Sequence, residues 1–75
     1  MPAPLSLTHA LGRILRFERE QAGATPEQFA QRCGLTPAAY TRVEAGDAVV
    51  RLSTLVRLAH GLGCSVSDLL RRAEQ

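Results

Sequence analysis

The sequence predicts a compact all-α domain built from five helices. Apolar residues recur at helical spacing along several segments, and no strand-like alternation, repeat or low-complexity stretch appears. Thr-Pro pairs and a Ser stand where helices must start, and glycines stand where they must stop. Hydrophobic content is 45% with only 4% aromatic, so the core must come mainly from Leu, Val, Ile and Ala.

Taken in order, residues 1–7, with Pro2 and Pro4, read as a loose arm. The first helix begins near Thr8 and runs to about Ala22, with Gly23 as its stop. Leu11, Ile14, Leu15 and Ala22 lie near one face. Glu18 falls on the same stripe. Either a nearby Arg pairs with it, or the helix rotates slightly and Phe17 supplies the missing apolar contact. Arg13, Arg16 and Glu20 form a solvated face.

Residues 25–46, TPEQFAQRCGLTPAAYTRVEAG, carry the most information. They read as helices at about 26–33 and 37–45 joined by a tight turn at Gly34-Leu35-Thr36. Each helix opens on Thr followed by Pro. A Thr hydroxyl caps exposed helix N–H groups, and Pro suits the first helical position, where no N–H is needed. Gly34 stands where the chain must reverse with a positive φ. Ala30 is small enough for the second helix to cross closely, and Phe29, Cys33, Leu35, Tyr40 and Val43 are spaced to share one core. This is the physical specification of a helix-turn-helix, a unit that often presents its second helix to the DNA major groove.

Residues 46–51 form a loop. The fourth helix starts near Leu52 or Ser53 and ends before Gly61 or Gly63, with a broad apolar face of Leu52, Leu55, Val56, Leu58, Ala59 and Leu62. The fifth begins after Ser65, which makes a capping-box-like pair with Asp68. Val66, Leu69 and Leu70 are its apolar residues. The polar end from Arg71 frays, leaving a single domain at 8–72 and a tail at 73–75.

Several function classes are excluded or left without support. No apolar run reaches the ~18 residues of a membrane span. The N-terminus lacks the basic and apolar regions of a signal peptide. Cys33 and Cys64 fit no C-x-x-C or zinc spacing and read as buried apolar residues with reduced thiols, which suits a cytoplasmic protein. His9 and His60 are isolated surface residues, so no metal is expected. No nucleophile–base pair or phosphate-cradling glycine loop is present, so neither catalysis nor a cofactor is expected. Net charge is +2 with nine basic residues, all Arg, a balance that permits nucleic-acid binding without announcing it. A 75-residue chain buries only about 60% of its unfolded surface, so its stability is marginal or supplemented by a partner.

Three phrases stand in order over roughly residues 9–72: LGRILR, the unit at 25–46, and LSTLVRLAHGLGCSVSDLL. Together they resemble the phage-repressor and Cro-type helix-turn-helix family, also called the xenobiotic-response-element family. The resemblance implies a repressor-like five-helix fold that binds double-stranded DNA as a homodimer on a pseudo-palindromic site. It matches Arg19 and Glu44 to a family ion pair. It places Arg42 on the groove-facing side of the recognition helix, where a guanidinium donates two bonds to guanine O6 and N7. Thr36 and Thr41 are candidates for phosphate or base-edge contact. Thr25, Gln28 and the free N–H groups of the second helix form an anion-attracting end. Arg51 is placed to reach a phosphate from the loop. The family's common dimer surface falls on Val66, Leu69 and Leu70.

The chain also departs from the family. Pro26 and Pro37 stand where many members carry Gln, and Ala38 and Ala39 follow. None of these has a side-chain donor, so they offer only apolar contact, as to a thymine methyl. Asp47 stands in a loop that is often basic, and residues 36–51 carry no net charge. Thr25 and Thr36 are first of all helix caps, and Tyr40 reads as core with its hydroxyl at the rim. These departures sustain a second expectation, a protein-interaction or antitoxin-like adaptor with a protein partner on the same scaffold.

Overall fold

The structure is a computed structural model that describes the backbone of residues 4–46 and 49–75, and side chains from residue 7 onward within those limits. Asp47, the expected acidic point of the loop, lies outside the described residues, as do residues 1–3. The described chain forms α1 (Pro4–Gln21), α2 (Pro26–Arg32), α3 (Pro37–Ala45), α4 (Leu52–Leu62) and α5 (Val66–Glu74), with no strand among the described residues.

The chain's local signals explain most of these limits. Thr25, Thr36 and Ser65 each sit in extended backbone and accept a hydrogen bond from the N–H three residues on, at 3.1 Å in every case. The turn between α2 and α3 closes by two backbone bonds, Leu35 N–H to the Ala30 carbonyl at 2.9 Å and Gly34 N–H to that of Gln31 at 3.0 Å. This double closure requires a left-handed residue, and Gly34 supplies it with φ +71°. The same pattern ends α1 at Gly23 and α4 at Gly63.

α1 packs on α3 and α5, α2 on α3, and α4 on α5. Tyr40, Phe29, Leu15, Leu58 and Leu69 are the largest fully buried side chains, joined by Leu11, Ala30, Cys33, Val43 and Ala59. The Phe29 and Tyr40 rings lie tilted with centroids 5.7 Å apart, a favourable aromatic contact across the helix-turn-helix. α1 crosses α3 at Gly12. A methyl group there would collide with the Glu44 carbonyl oxygen and lie 2.9 Å from that of Val43. The result is a body of 32 × 22 × 22 Å.

Several expectations change. Helix α1 starts at Pro4 rather than near Thr8, so residues 4–7 of the expected arm are helical; proline is at home in a first turn. Ala22 lies past the helix end and is exposed, so it does not share the inner face. Phe17 is exposed, which removes the rotated-helix alternative; Glu18 instead meets Arg72 of α5 at 3.4 Å. Cys33 is the C-cap of α2 and not its last residue. Of the two expected stops for α4, Gly63 is the one used: the helix runs through Gly61, which is buried against Cys33, and ends at Leu62. Leu52 and Val56 are exposed, so α4's inner face is narrower than its composition suggests. Helix α5 extends to Glu74 with Ala73 buried, because its end lies along α1 and is tied there by Arg72.

Candidate nucleic-acid interface

Helix α3 divides cleanly into two faces. Tyr40 and Val43 are buried, whereas Thr36, Pro37, Ala38, Thr41 and Arg42 are exposed and Ala39 is half-buried. The inner face fastens the helix to the core. The outer face is a short surface with two hydroxyls, one guanidinium and small apolar groups. Arg42 has no ion pair or hydrogen bond among the described residues. It lines a groove of about 440 Å³ with Ala39, Val43, Val49, Val50, Arg51 and Thr54. Arg51 is exposed and gives its own helix no side-chain cap. The fold therefore brings Arg42 and Arg51 to one groove, joined to Ala39 and to Val49, a residue the sequence did not single out.

At the start of α2, Thr25 and Gln28 hold each other. The Thr25 oxygen accepts from the Gln28 N–H, and the Thr25 N–H donates to Gln28 Oε1 at 2.9 Å. This is a full capping box, which the sequence reading missed although the Thr-x-x-Gln spacing carries its signal. Gln28 is thus a structural residue whose amide nitrogen remains to donate. The Thr36 oxygen is likewise engaged, by the Ala39 N–H. A hydroxyl that accepts within its own helix still has a proton to donate.

The tilt of α3 is fixed from behind by charge. Arg19 of α1 reaches Glu44 of α3 with two near-parallel bonds, Nη2 to Oε1 at 2.8 Å and Nε to Oε2 at 3.0 Å. Its third nitrogen, Nη1, donates to the Ala24 carbonyl at 3.2 Å. Arg16 adds a longer, exposed contact at 3.4 Å. The Glu44 side chain is 8% exposed and that of Arg19 15%. Burial pushes the Glu44 carboxyl up, but hydrogen bonds led by Arg19 outweigh it and hold it below its ordinary value. Arg19 is raised by the hydrogen bond to Glu44, against the opposing effect of burial. The Tyr40 hydroxyl sits within the core and not at the rim. It is buried beside the Glu44 carboxylate without a well-directed hydrogen bond, and burial first, then the proximity of that carboxylate, push its ionisation upward.

A further support was not visible in the sequence. Arg57 of α4 donates from Nη1 to the Gly34 carbonyl at 2.9 Å, bracing the turn between α2 and α3. An arginine on an exposed helix face gives no sign that its partner is a backbone carbonyl.

The expected dimer residues on α5 do not form one surface. Leu69 is fully enclosed by its own chain, and Val66 and Leu70 are half-buried. Leu69 is a core residue because α5 must cover the inner face of the bundle with it. Exposed apolar side chains lie instead at Val49, Leu52 and Val56, and at Phe17. Cys33 is buried and Cys64 half-buried, both as free thiols, and burial pushes the Cys33 thiol up. Among the described residues no three metal-ligating side chains cluster, and no helix is long and apolar enough to cross a membrane.

Two crystal structures of the clp gene regulator ClgR from Corynebacterium glutamicum are similar to this chain. One is 36% identical with a TM-score of 0.77, over 97% of this chain and 77% of that one. The other is 32% identical with a TM-score of 0.74, over 99% and 92%. No curated protein sequence matches. The family model for a helix-turn-helix domain matches residues 10–73, the span that holds the capped pair α2–α3 and its Arg19–Glu44 brace, and the chain belongs to that helix-turn-helix family.

Proposed function

We propose that the chain is a sequence-specific DNA-binding transcriptional regulator, acting in the cytoplasm as a homodimer on a pseudo-palindromic site with α3 in the major groove. One observation carries this reading. Arg42 stands on the outer face of α3 without a partner among the described residues, at a groove it shares with Arg51. A guanidinium with no internal partner keeps its paired donors for guanine O6 and N7. Around it, Thr36, Thr41, Ala38 and Ala39 offer hydroxyl and methyl contacts, and Arg51 offers a phosphate contact. Thr25 and Gln28 frame the N-terminus of α2 as a second phosphate contact. The similarity to a clp gene regulator supports a role in transcription.

A second copy would place a second α3 about 34 Å away, one turn of the duplex. The protomer's 22 to 32 Å extents suit that spacing. Its exposed apolar contact surface is Leu52 and Val56 on α4, with Val66 and Leu70 contributing less.

The second reading, a protein-interaction adaptor, draws on Pro26, Pro37, Ala38 and Ala39, which put no side-chain donor at the first position of α2 or at the first three positions of α3. One titration separates the two. Duplexes selected from a random pool are titrated by fluorescence anisotropy at about 50 mM salt, where electrostatic binding is strong. The DNA-binding reading expects a two-fold symmetric site and a log–log salt slope of about −0.9 per neutralised phosphate. Failure to bind any duplex at that salt overturns it and leaves the adaptor.

A further inference from the structure

We propose that Val49 is a specificity-determining residue that reads the 5-methyl group of a thymine next to the guanine held by Arg42. This rests on the DNA-binding reading above and names one base contact within it. Val49 is 95% exposed, the most exposed large hydrophobic among the described residues. It does not stand apart from the interface. It lines the groove that holds Arg42, Ala39 and Arg51.

The chemistry of that groove is divided. Arg42 and Arg51 provide cations, while Ala39, Val43, Val49 and Val50 provide methyl groups. In the major groove only one base edge is apolar, the 5-methyl of thymine, and it is read by contact with small apolar side chains. Neighbouring base pairs are about 3.4 Å apart along the axis, so a thymine beside the Arg42 guanine brings its methyl to an adjoining wall of the groove. The volume of about 440 Å³ leaves room for a base edge and for a phosphate opposite Arg51. The competing occupant is a second copy of the chain. Leu52 and Val56 are exposed on the following helix, but neither lines this groove, so Val49 faces the recognition helix apart from their stripe.

The test uses the duplex selected above, with each thymine replaced in turn by deoxyuridine, which removes only the methyl. Wild type, Val49→Ser and Val49→Ile are titrated at fixed salt, and Arg42→Ala identifies the neighbouring guanine. Loss of one methyl contact is about 0.8 kcal/mol, roughly fourfold in affinity. The expected result is a fourfold penalty at one thymine per half-site in wild type and Val49→Ile, absent in Val49→Ser. Uracil tolerated at every position overturns the proposal, as does a penalty that survives in Val49→Ser. Sedimentation equilibrium without DNA supplies a further check: a dimer weakened by Val49→Ser places the valine against the second copy and also overturns it. Tight binding indifferent to uracil removes this contact alone, whereas failure of wild type to bind any duplex removes the DNA-binding function with it.

Discussion

Replacing Glu44 with alanine removes the carboxylate that holds Arg19 and leaves the cation in place. The Arg19 side chain is only 15% exposed, and it loses bonds of 2.8 and 3.0 Å while keeping the Ala24 carbonyl at 3.2 Å. Breaking a buried pair from one side typically costs about 3–5 kcal/mol, because the surviving charge stays desolvated. The retained carbonyl and the residual exposure of Arg19 argue for the lower end, about 3 kcal/mol. In a domain of this size each kcal/mol moves Tm by about 4–8 °C, so Glu44→Ala should melt at least 12 °C below wild type. Thermal unfolding followed by circular dichroism measures this directly. A double cycle sharpens it: Arg19→Met with Glu44→Leu should recover most of the loss, since an apolar pair carries no stranded charge. A Tm change of a degree or less in Glu44→Ala, or a double variant no better than the single, would refute the claim that this pair is desolvated and coupled.

The same carboxylate sets a pH dependence. Its folded value lies below its unfolded one, so its stabilisation is complete above the unfolded value of about 4.3 and is lost as pH falls through the folded value. Urea midpoints measured from pH 7 downward should therefore fall less steeply in Glu44→Gln than in wild type. Arg42→Ala should weaken binding by about 1–3 kcal/mol and relax preference at one base pair; an equal loss on every duplex would make it a phosphate contact. Tyr40→Phe deletes a buried hydroxyl that lies beside the Glu44 carboxylate without a well-directed hydrogen bond, so its stability by denaturant titration should stay within about 1 kcal/mol of wild type. Gly12→Ala drives a methyl into the Glu44 carbonyl, and a loss of about 1–3 kcal/mol by denaturant titration is expected.

The capped pair α2–α3 was legible in the sequence because its signals are local. A Thr-Pro start is read from two adjacent residues, and the turn needs one glycine at one place. Arg19 and Glu44 were legible only through a resemblance, since nothing in a charge 25 positions away announces a partner. Leu52 and Val56 were misread because α4 is apolar around much of its circumference, and periodicity alone cannot say which part is covered. Ala73 was lost to the tail because its burial depends on α1, which lies far away in sequence. Arg57 escaped altogether. Its partner is the Gly34 carbonyl, and every residue carries a carbonyl.

The two faces of α3 bear on how such a helix changes its target. Everything that fixes its position points inward: Tyr40 and Val43 in the core, Glu44 clamped by Arg19, and the preceding turn braced by Arg57. The outward residues Ala38, Thr41 and Arg42 contribute nothing to that support beyond their backbone. Substitution of exposed residues without internal partners usually alters stability by less than about 0.5 kcal/mol. A single wrong base pair in a protein–DNA contact costs about 1–3 kcal/mol. The reading surface is therefore free to vary by amounts that decide sequence preference while the fold beneath it is scarcely touched. Support and recognition separate on one nine-residue helix because its ion pair and its ring contact lie on the side turned to the core, away from Thr41 and Arg42.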